Sequence, residues 1–277
     1  MAKNKLKKFE DLRNWNHVYE FPLNEGRRPE CKFKGNWSAS VFGNDRPLVL
    51  ELGCGKGEYT VGLARSRPDI NFIGIDIKGA RMWTGARQAM EEELENVAFL
   101  RTQIELLSGF FSPGEVAEIW LTFPDPQMKK VRKRLTSTYF MRMYRQILAK
   151  DAVLHLKTDS RFMYEYSLAV LKANGLTIHC QTQDLYADSI RQDGLLKLAT
   201  ATPDTEYVAA AAVDFVEVPD IQTFYEQQWL LRGIKIKYLK WSIPEVSDWK
   251  EPNIEIEPDE YRSFGRSARV VPKNKQQ

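Results

Sequence analysis

Three short stretches of this chain combine glycines, fixed carboxylates and clustered cations in ways that chemistry can use. The first is Glu51-Leu52-Gly53-Cys54-Gly55-Lys56-Gly57, which follows an apolar run and precedes an amphipathic one. Glycines there let the backbone turn tightly and approach a ligand with no Cβ in the way. Gly53, Gly55 and Gly57 alternate, whereas the dinucleotide fingerprint places its third glycine three residues after the second, which argues against NAD. Glu51, two residues before the first glycine, suits a ligand with ammonium or sulfonium charge; a pyrophosphate would be repelled. The second stretch, Asn71-Phe72-Ile73-Gly74-Ile75-Asp76, ends in a carboxylate able to accept both ribose hydroxyls. Two acids and three glycines at adjoining strand ends form a coherent nucleoside pocket. Taken singly, the glycines could be a plain strand-to-helix turn and Asp76 a helix cap.

The third stretch is Phe123-Pro124-Asp125-Pro126 followed by Gln127-Met128-Lys129-Lys130-Val131-Arg132-Lys133-Arg134. Two prolines around one Asp restrict the backbone and hold the carboxylate in a fixed direction. The five cations that follow are enough for several phosphate contacts, although such a run can also be a solvated face. Net charge is only +3, so the clustering of the positive residues matters more than their excess.

These residues need a scaffold that brings strand ends together. From Leu48 to about Gln181, short Ile/Val/Leu-rich runs alternate with longer amphipathic stretches, the pattern of βαβ units around a parallel sheet. Strands are predicted near Leu48–Leu52, Asn71–Asp76, Val97–Arg101, Ile119–Phe123, Ala152–Lys157 and Leu176–Gln181, with one more over Ile234–Trp241. Helices are predicted over Gly79–Leu94, Thr138–Lys150, Arg161–Ala173 and Ile221–Arg232. All three stretches then fall at the carboxyl edge of the sheet, where ligands of open α/β folds bind. The main domain is expected over 46–241, with a basic and aromatic N-terminal arm over 1–45. A long insertion-like segment is expected over 186–219 and a loosely packed or disordered tail over 242–277.

Composition excludes several classes. With 43% hydrophobic and 28% charged residues in 277, and apolar runs far shorter than a bilayer span, no transmembrane helix is expected. The lysine-rich start has no apolar stretch behind it and lacks a secretory signal, so a cytoplasmic location is expected. Cys31, Cys54 and Cys180, with His17, His155 and His179, offer no metal-ligand spacing, so neither a metal site nor a disulfide is expected.

The glycine loop and Asp76 together resemble the Rossmann-like class I S-adenosylmethionine methyltransferases. Two more motifs, the Phe-Pro-Asp-Pro turn with its basic follow-on and Thr223-Phe224-Tyr225-Glu226 with Trp229 and Gly233, narrow this. From roughly Arg13 to Leu239 the chain resembles the bacterial tRNA (guanine-N7)-methyltransferase family, and Leu156-Lys157-Thr158-Asp159 matches a fourth family segment. The resemblance implies an α/β fold with a mostly parallel seven-stranded sheet flanked by helices. It implies S-adenosylmethionine as donor, S-adenosylhomocysteine as product, and as substrate a guanine at position 46 in the variable loop of tRNA. It implies that the loop Glu51, Gly53, Gly55, Gly57, with Asp76, Gln103 and Asp125, lines the cofactor pocket, and that Asp125 is catalytic. Lys129, Asp159, Thr223, Phe224, Tyr225 and Glu226 would contact the target guanosine. Arg132, Lys133 and Arg134, with Lys5, Lys7 and Lys8, would hold RNA phosphates. The chain departs from the family at Thr102-Gln103-Ile104, where an Asp-Ala pair is usual, at Gln127 in place of Trp and at Gln228 in place of Lys.

Guanine N7 carries a lone pair and no proton, so its methylation needs in-line alignment and no general base, and Cys54 need not act as a nucleophile. A fixed carboxylate near the base is worth more in the transition state, when positive charge appears on the purine. Asp159 or Glu226 could accept from the guanine N1–H and amino group; Asp159 could equally cap a helix, and Thr223 with Glu226 could form a capping box. Because N7 is hard to reach in folded RNA, the nucleotide must be rotated out or presented by a loop. Tyr225 and Trp229 are then stacking candidates, or core residues at spacing four. Alternatives are a methyltransferase for another RNA base position and a non-catalytic RNA-binding protein of the same fold, which donor binding separates. The protein is expected to work as a monomer or homodimer.

Overall fold

The structure, a computed structural model, describes residues 2–21, 31–200, 214–244 and 248–259. A basic helix α1 (Ala2–Asn14) leads into the short strand β1 (Val18–Glu20), and α2 (Trp37–Val41) precedes the first long apolar run. Strands and helices then alternate: β2 (Leu48–Leu52), α3 (Glu58–Ser66), β3 (Asn71–Asp76), α4 (Gly79–Glu91), β4 (Val97–Arg101) and α5 (Leu107–Phe110). The series continues with β5 (Val116–Thr122), α6 (Thr138–Arg145), β6 (Leu148–Thr158), α7 (Arg161–Ala173) and β7 (Ile178–Thr182). After these come β8 (Ser189–Gln192), β9 (Leu195–Ala199), β10 (Phe215–Pro219), α8 (Phe224–Leu230) and β11 (Lys237–Ser242).

The main sheet runs β1-β4-β3-β2-β5-β6-β11-β7. Pairings from β1 to β6 are parallel, and β11 inserts antiparallel between β6 and β7. Every residue of β2 is buried, as a strand covered by helices on both faces requires. The chain order reverses between β2 and β5, which opens a crevice at their carboxyl ends. Among the described residues the sheet therefore has eight strands, one more than expected; the addition is β1, whose Val18 pairs with Phe99, and three residues are too few for periodicity to reveal. Helix α6 stops at Arg145, short of the expected Lys150. Ile147 and Leu148 are buried at the sheet, and the Ile147 carbonyl accepts from Val116 N–H at 3.0 Å, so these residues serve β6.

The flanks differ from expectation as well. Within the expected N-terminal arm, Leu12 and Trp37 are fully buried, and the Trp37 indole N–H donates to the Phe110 carbonyl at 2.8 Å. Within the expected insertion, β8 and β9 form a hairpin turned at Asp193-Gly194, both at positive φ, and β10 pairs with β9; residues 201–213 lie outside the described residues. Within the expected tail, Glu251 accepts from the Thr138 hydroxyl at 2.7 Å and from Tyr166 OH, and Asp259 accepts from Phe162 N–H at 3.1 Å and from Ser160. These carboxylates satisfy the first turns of α6 and α7, where helix N–H groups lack intrahelical partners. The rest of the tail, 260–277, lies outside the described residues. Among the described residues no helix is long and apolar enough to cross a membrane.

Candidate active site

The glycine loop is tied to the end of β3, because Gly53 and Cys54 both donate to the Ile75 carbonyl, at 2.8 and 3.0 Å. Gly53 has φ +80, and a Cβ there would meet nothing within 4 Å, so this turn leaves an open face toward a cavity. Gly57, at φ +74, is required for packing instead: its Cβ would come within 2.7 Å of the Phe99 ring. Asp76 accepts from Gly55 N–H at 3.0 Å on one oxygen and from Lys78 N–H at 2.8 Å on the other. That arrangement fixes the carboxylate plane while leaving each oxygen a lone pair.

The cavity, about 330 Å³, is walled by Gly53, Asp76, Thr102, Gln103, Glu105 and Lys133 among others. Thr102 is 4% exposed and its hydroxyl has no hydrogen-bond partner among the described residues. A buried hydroxyl left unpaired is destabilising, so a ligand that supplies a partner gains there. A paired-acceptor carboxylate at Asp76, an amide at Gln103 and a waiting hydroxyl at Thr102 fit an adenosine moiety. Glu51 lies beneath the loop, 2% exposed, accepting from the hydroxyls of Thr60 on α3 and Thr122 at the end of β5. Burial pushes its carboxyl up to about 7, against the opposing pull of Thr122 and Thr60, and the nearby Asp76 charge pushes the same way as burial.

On the other side of the crevice, the Phe123 N–H donates to the Lys157 carbonyl at 2.7 Å, anchoring the Asp125 turn to β6. Asp125 is exposed, and one of its oxygens accepts from Gln127 N–H at 3.1 Å. Lys129 and Arg132 face solvent, with the Arg132 guanidinium 4.8 Å from the Tyr139 ring centroid. Lys133 pairs with Glu105 at 3.0 Å and remains 60% exposed. Arg134 differs from the expected phosphate contact: it is 7% exposed and turned inward.

Asp159, the residue after β6, is fully buried, with Lys237 Nζ donating to its backbone carbonyl at 2.9 Å, and α7 is capped by Ser160. Thr223 and Glu226 form the capping box at the start of α8. Glu226 is also fully buried, paired with an equally buried Lys157 at 2.8 Å and accepting from Tyr186 OH at 2.5 Å. By contrast Phe224 and Tyr225 are 39% and 53% exposed. The Lys56 ammonium sits 4.6 and 5.5 Å from their ring centroids, and Phe224 N–H donates to Glu58 at 2.9 Å. The aromatic pair is thereby docked at the rim beside the glycine loop, whereas Trp229 is partly buried against the core. Sequence reasoning missed Thr102, Lys157, Tyr186 and Glu58 as parts of this architecture. Lys157 did carry a signal, since a cation in a strand covered on both faces must find a buried partner.

Among the described residues no group of three His, Cys, Asp or Glu side chains is arranged to hold a metal ion. Residues 45–192 match a family described as "Putative methyltransferase". A tRNA (guanine-N(7)-)-methyltransferase of Bacteroides fragilis is 50% identical over 269 residues, 97% of either chain. One of Porphyromonas gingivalis is 50% identical over 91% of this chain and 96% of its own length. Among solved structures, a 16S rRNA methyltransferase aligns with a TM-score of 0.53 at 14% identity, covering 83% of this chain and 99% of that one, a likeness of fold alone.

Proposed function

Because this chain belongs to the family of tRNA (guanine-N(7)-)-methyltransferases, we propose that it methylates guanine N7 in tRNA within the crevice between the glycine loop and the Asp125 turn. The observation that carries this reading is the meeting, at one sheet edge, of a cavity lined by Asp76, Thr102 and Gln103, an exposed carboxylate held by a backbone N–H and an exposed aromatic pair. The donor, S-adenosylmethionine, supplies an electrophilic methyl group on a sulfonium centre. Asp76 receives the ribose hydroxyls, and Gln103 and Thr102 receive the adenine edge. Glu51, beneath the loop, contributes negative potential toward the cationic end without direct exposure.

Asp125, held by Gln127 N–H, presents a carboxylate to the purine, where positive charge develops as the base is alkylated. Tyr225 and Phe224 offer ring faces for an extruded base, and Lys129, Arg132 and Lys133 offer charge to the adjoining phosphates. Thr223 and Glu226 act by fixing the first turn that carries those rings. We place the target at position 46 of the variable loop and the reaction in the cytoplasm, carried out by a monomer or homodimer. Incubating the protein with labelled S-adenosylmethionine and tRNA lacking this modification should yield 7-methylguanosine on nuclease digestion; another methylated nucleoside would overturn the position assignment.

Glu51 gives a second test. Its carboxyl is raised to about 7, so the unliganded fold favours the protonated form and ionisation from the ordinary 4.5 up to 7 works against folding. A cationic ligand favours the ionised form. Donor affinity should therefore rise as pH increases through 7, with proton release on binding. Calorimetry in two buffers of different ionisation enthalpy reads that release directly. Equal heats in both buffers near pH 7, or a Glu51→Gln variant with the same pH profile as wild type, would remove Glu51 from donor binding.

A further inference from the structure

Arg134 ends a run of cations yet buries its charge. Its guanidinium lies 4.7 and 4.3 Å from the ring centroids of Phe162 and Tyr166 on α7. From that slot Nη2 donates to the Met128 carbonyl at 2.8 Å and Nε to the Gln127 carbonyl at 3.3 Å. Gln127 has φ +47, and Phe123, at the other end of the Asp125 turn, has φ +49. A residue with a side chain holds such a conformation only where its surroundings over-determine it. Gln127 is also the residue whose N–H orients the Asp125 carboxylate. The rings that Arg134 lies against are braced in turn by the C-terminal segment, through Tyr166 OH to Glu251 and Phe162 N–H to Asp259.

We propose that Arg134 is a positioning residue for methyl transfer: a stacked guanidinium that clamps the Gln127 and Met128 carbonyls and so aims the Asp125 carboxylate, with the 251–259 segment bracing it from behind. This rests on the reading that Asp125 acts at the target base. It separates Arg134 from the neighbouring cations, whose exposed charges suit phosphates. A planar fork packed against two rings and bonded to two carbonyls cannot be replaced by the point charge of a lysine.

Arg134→Lys in the full chain keeps the charge and loses the fork. At saturating donor and tRNA, kcat should fall about 100-fold, the scale of a misplacement of about 1 Å at a reacting centre. The Kd for tRNA and the slope of its logarithm against log salt should match wild type, since no phosphate contact is lost. Amide hydrogen exchange at Gln127 should accelerate, a change that general destabilisation alone would not confine to this turn. Should Arg134→Lys fail to fold, Tyr166→Phe, which keeps the ring and drops the hydroxyl bonded to both Glu251 and Arg134, should show a smaller loss of kcat and the same local exchange. Unchanged kcat and exchange would overturn the proposal, as would a loss of kcat matched by weaker tRNA binding and a shallower salt slope. A wild-type protein that made no 7-methylguanosine would instead overturn the underlying reading, while Gln127 exchange would still report on the clamp.

Discussion

Asp125→Asn is expected to lower kcat for tRNA methylation by about 100- to 1000-fold, the effect of removing one preorganised electrostatic group from an active site. The substitution is nearly isosteric, and the Asn side-chain oxygen can still accept the Gln127 N–H that orients Asp125 at 3.1 Å. Asp125 is exposed, so no buried charge is created or removed and folding stability should be unchanged. What disappears is the negative charge facing a purine that becomes cationic as N7 is alkylated. Because the target has no proton to remove, the loss should appear across the whole pH range and not as a displaced titration limb. Single-turnover rates at saturating donor isolate this step from any change in cofactor binding. A variant that retained wild-type turnover would strip Asp125 of its role and leave the crevice as a binding site without its proposed field.

The features legible in the sequence are those whose cause is local. The glycine loop shows itself because its positive φ angles favour glycine and the tight approach at Gly57 leaves no room for a Cβ, and Asp76 because a strand ends there. The strands β2, β3 and β4 fall where the apolar runs predict them, since burial on both faces keeps polar residues in them few. The Asp125 turn is legible because two prolines announce it.

The features that stayed hidden depend on partners far along the chain. Arg134 looks like its neighbours Arg132 and Lys133, and only the rings of Phe162 and Tyr166 from α7 show that it points inward. The tail looks loose because its residues are polar and Pro-rich, yet Glu251 reaches Thr138 across 113 positions and Asp259 reaches Phe162 across 97. Glu251 and Asp259 are helix caps supplied from a distance. Composition reports polarity there without reporting that a partner is waiting. The capping box at Thr223 and Glu226 could be read locally, but the carboxylate's second partner could not.

That second partner gives the largest expected effect on stability. Lys157 and Glu226 are both fully buried at 2.8 Å, Tyr186 OH donates to the same carboxylate, and Lys157 also donates to the Ile221 carbonyl at 2.8 Å. Lys157→Met leaves Glu226 charged, buried and without its counterion, which should destabilise the fold by about 3–5 kcal/mol. With roughly 2.1 cal/mol/K of unfolding entropy per residue, Tm should fall by roughly 5–9 °C. The first turn of α8 should loosen at the same time, because Lys157 ties both Glu226 and the approach at Ile221 to β6, and KM for tRNA should rise as Phe224 and Tyr225 lose their fixed place. Lys157→Met combined with Glu226→Gln keeps the capping box, since Gln can fill the Glu position, and leaves no charge in the pocket. The double variant should therefore recover half or more of the lost stability, a coupling that thermal or denaturant unfolding of all four proteins measures. If the double variant melted no higher than Lys157→Met alone, the buried charge would not be the source of the loss, and α8 would owe its placement to packing around Tyr186 and Ile221.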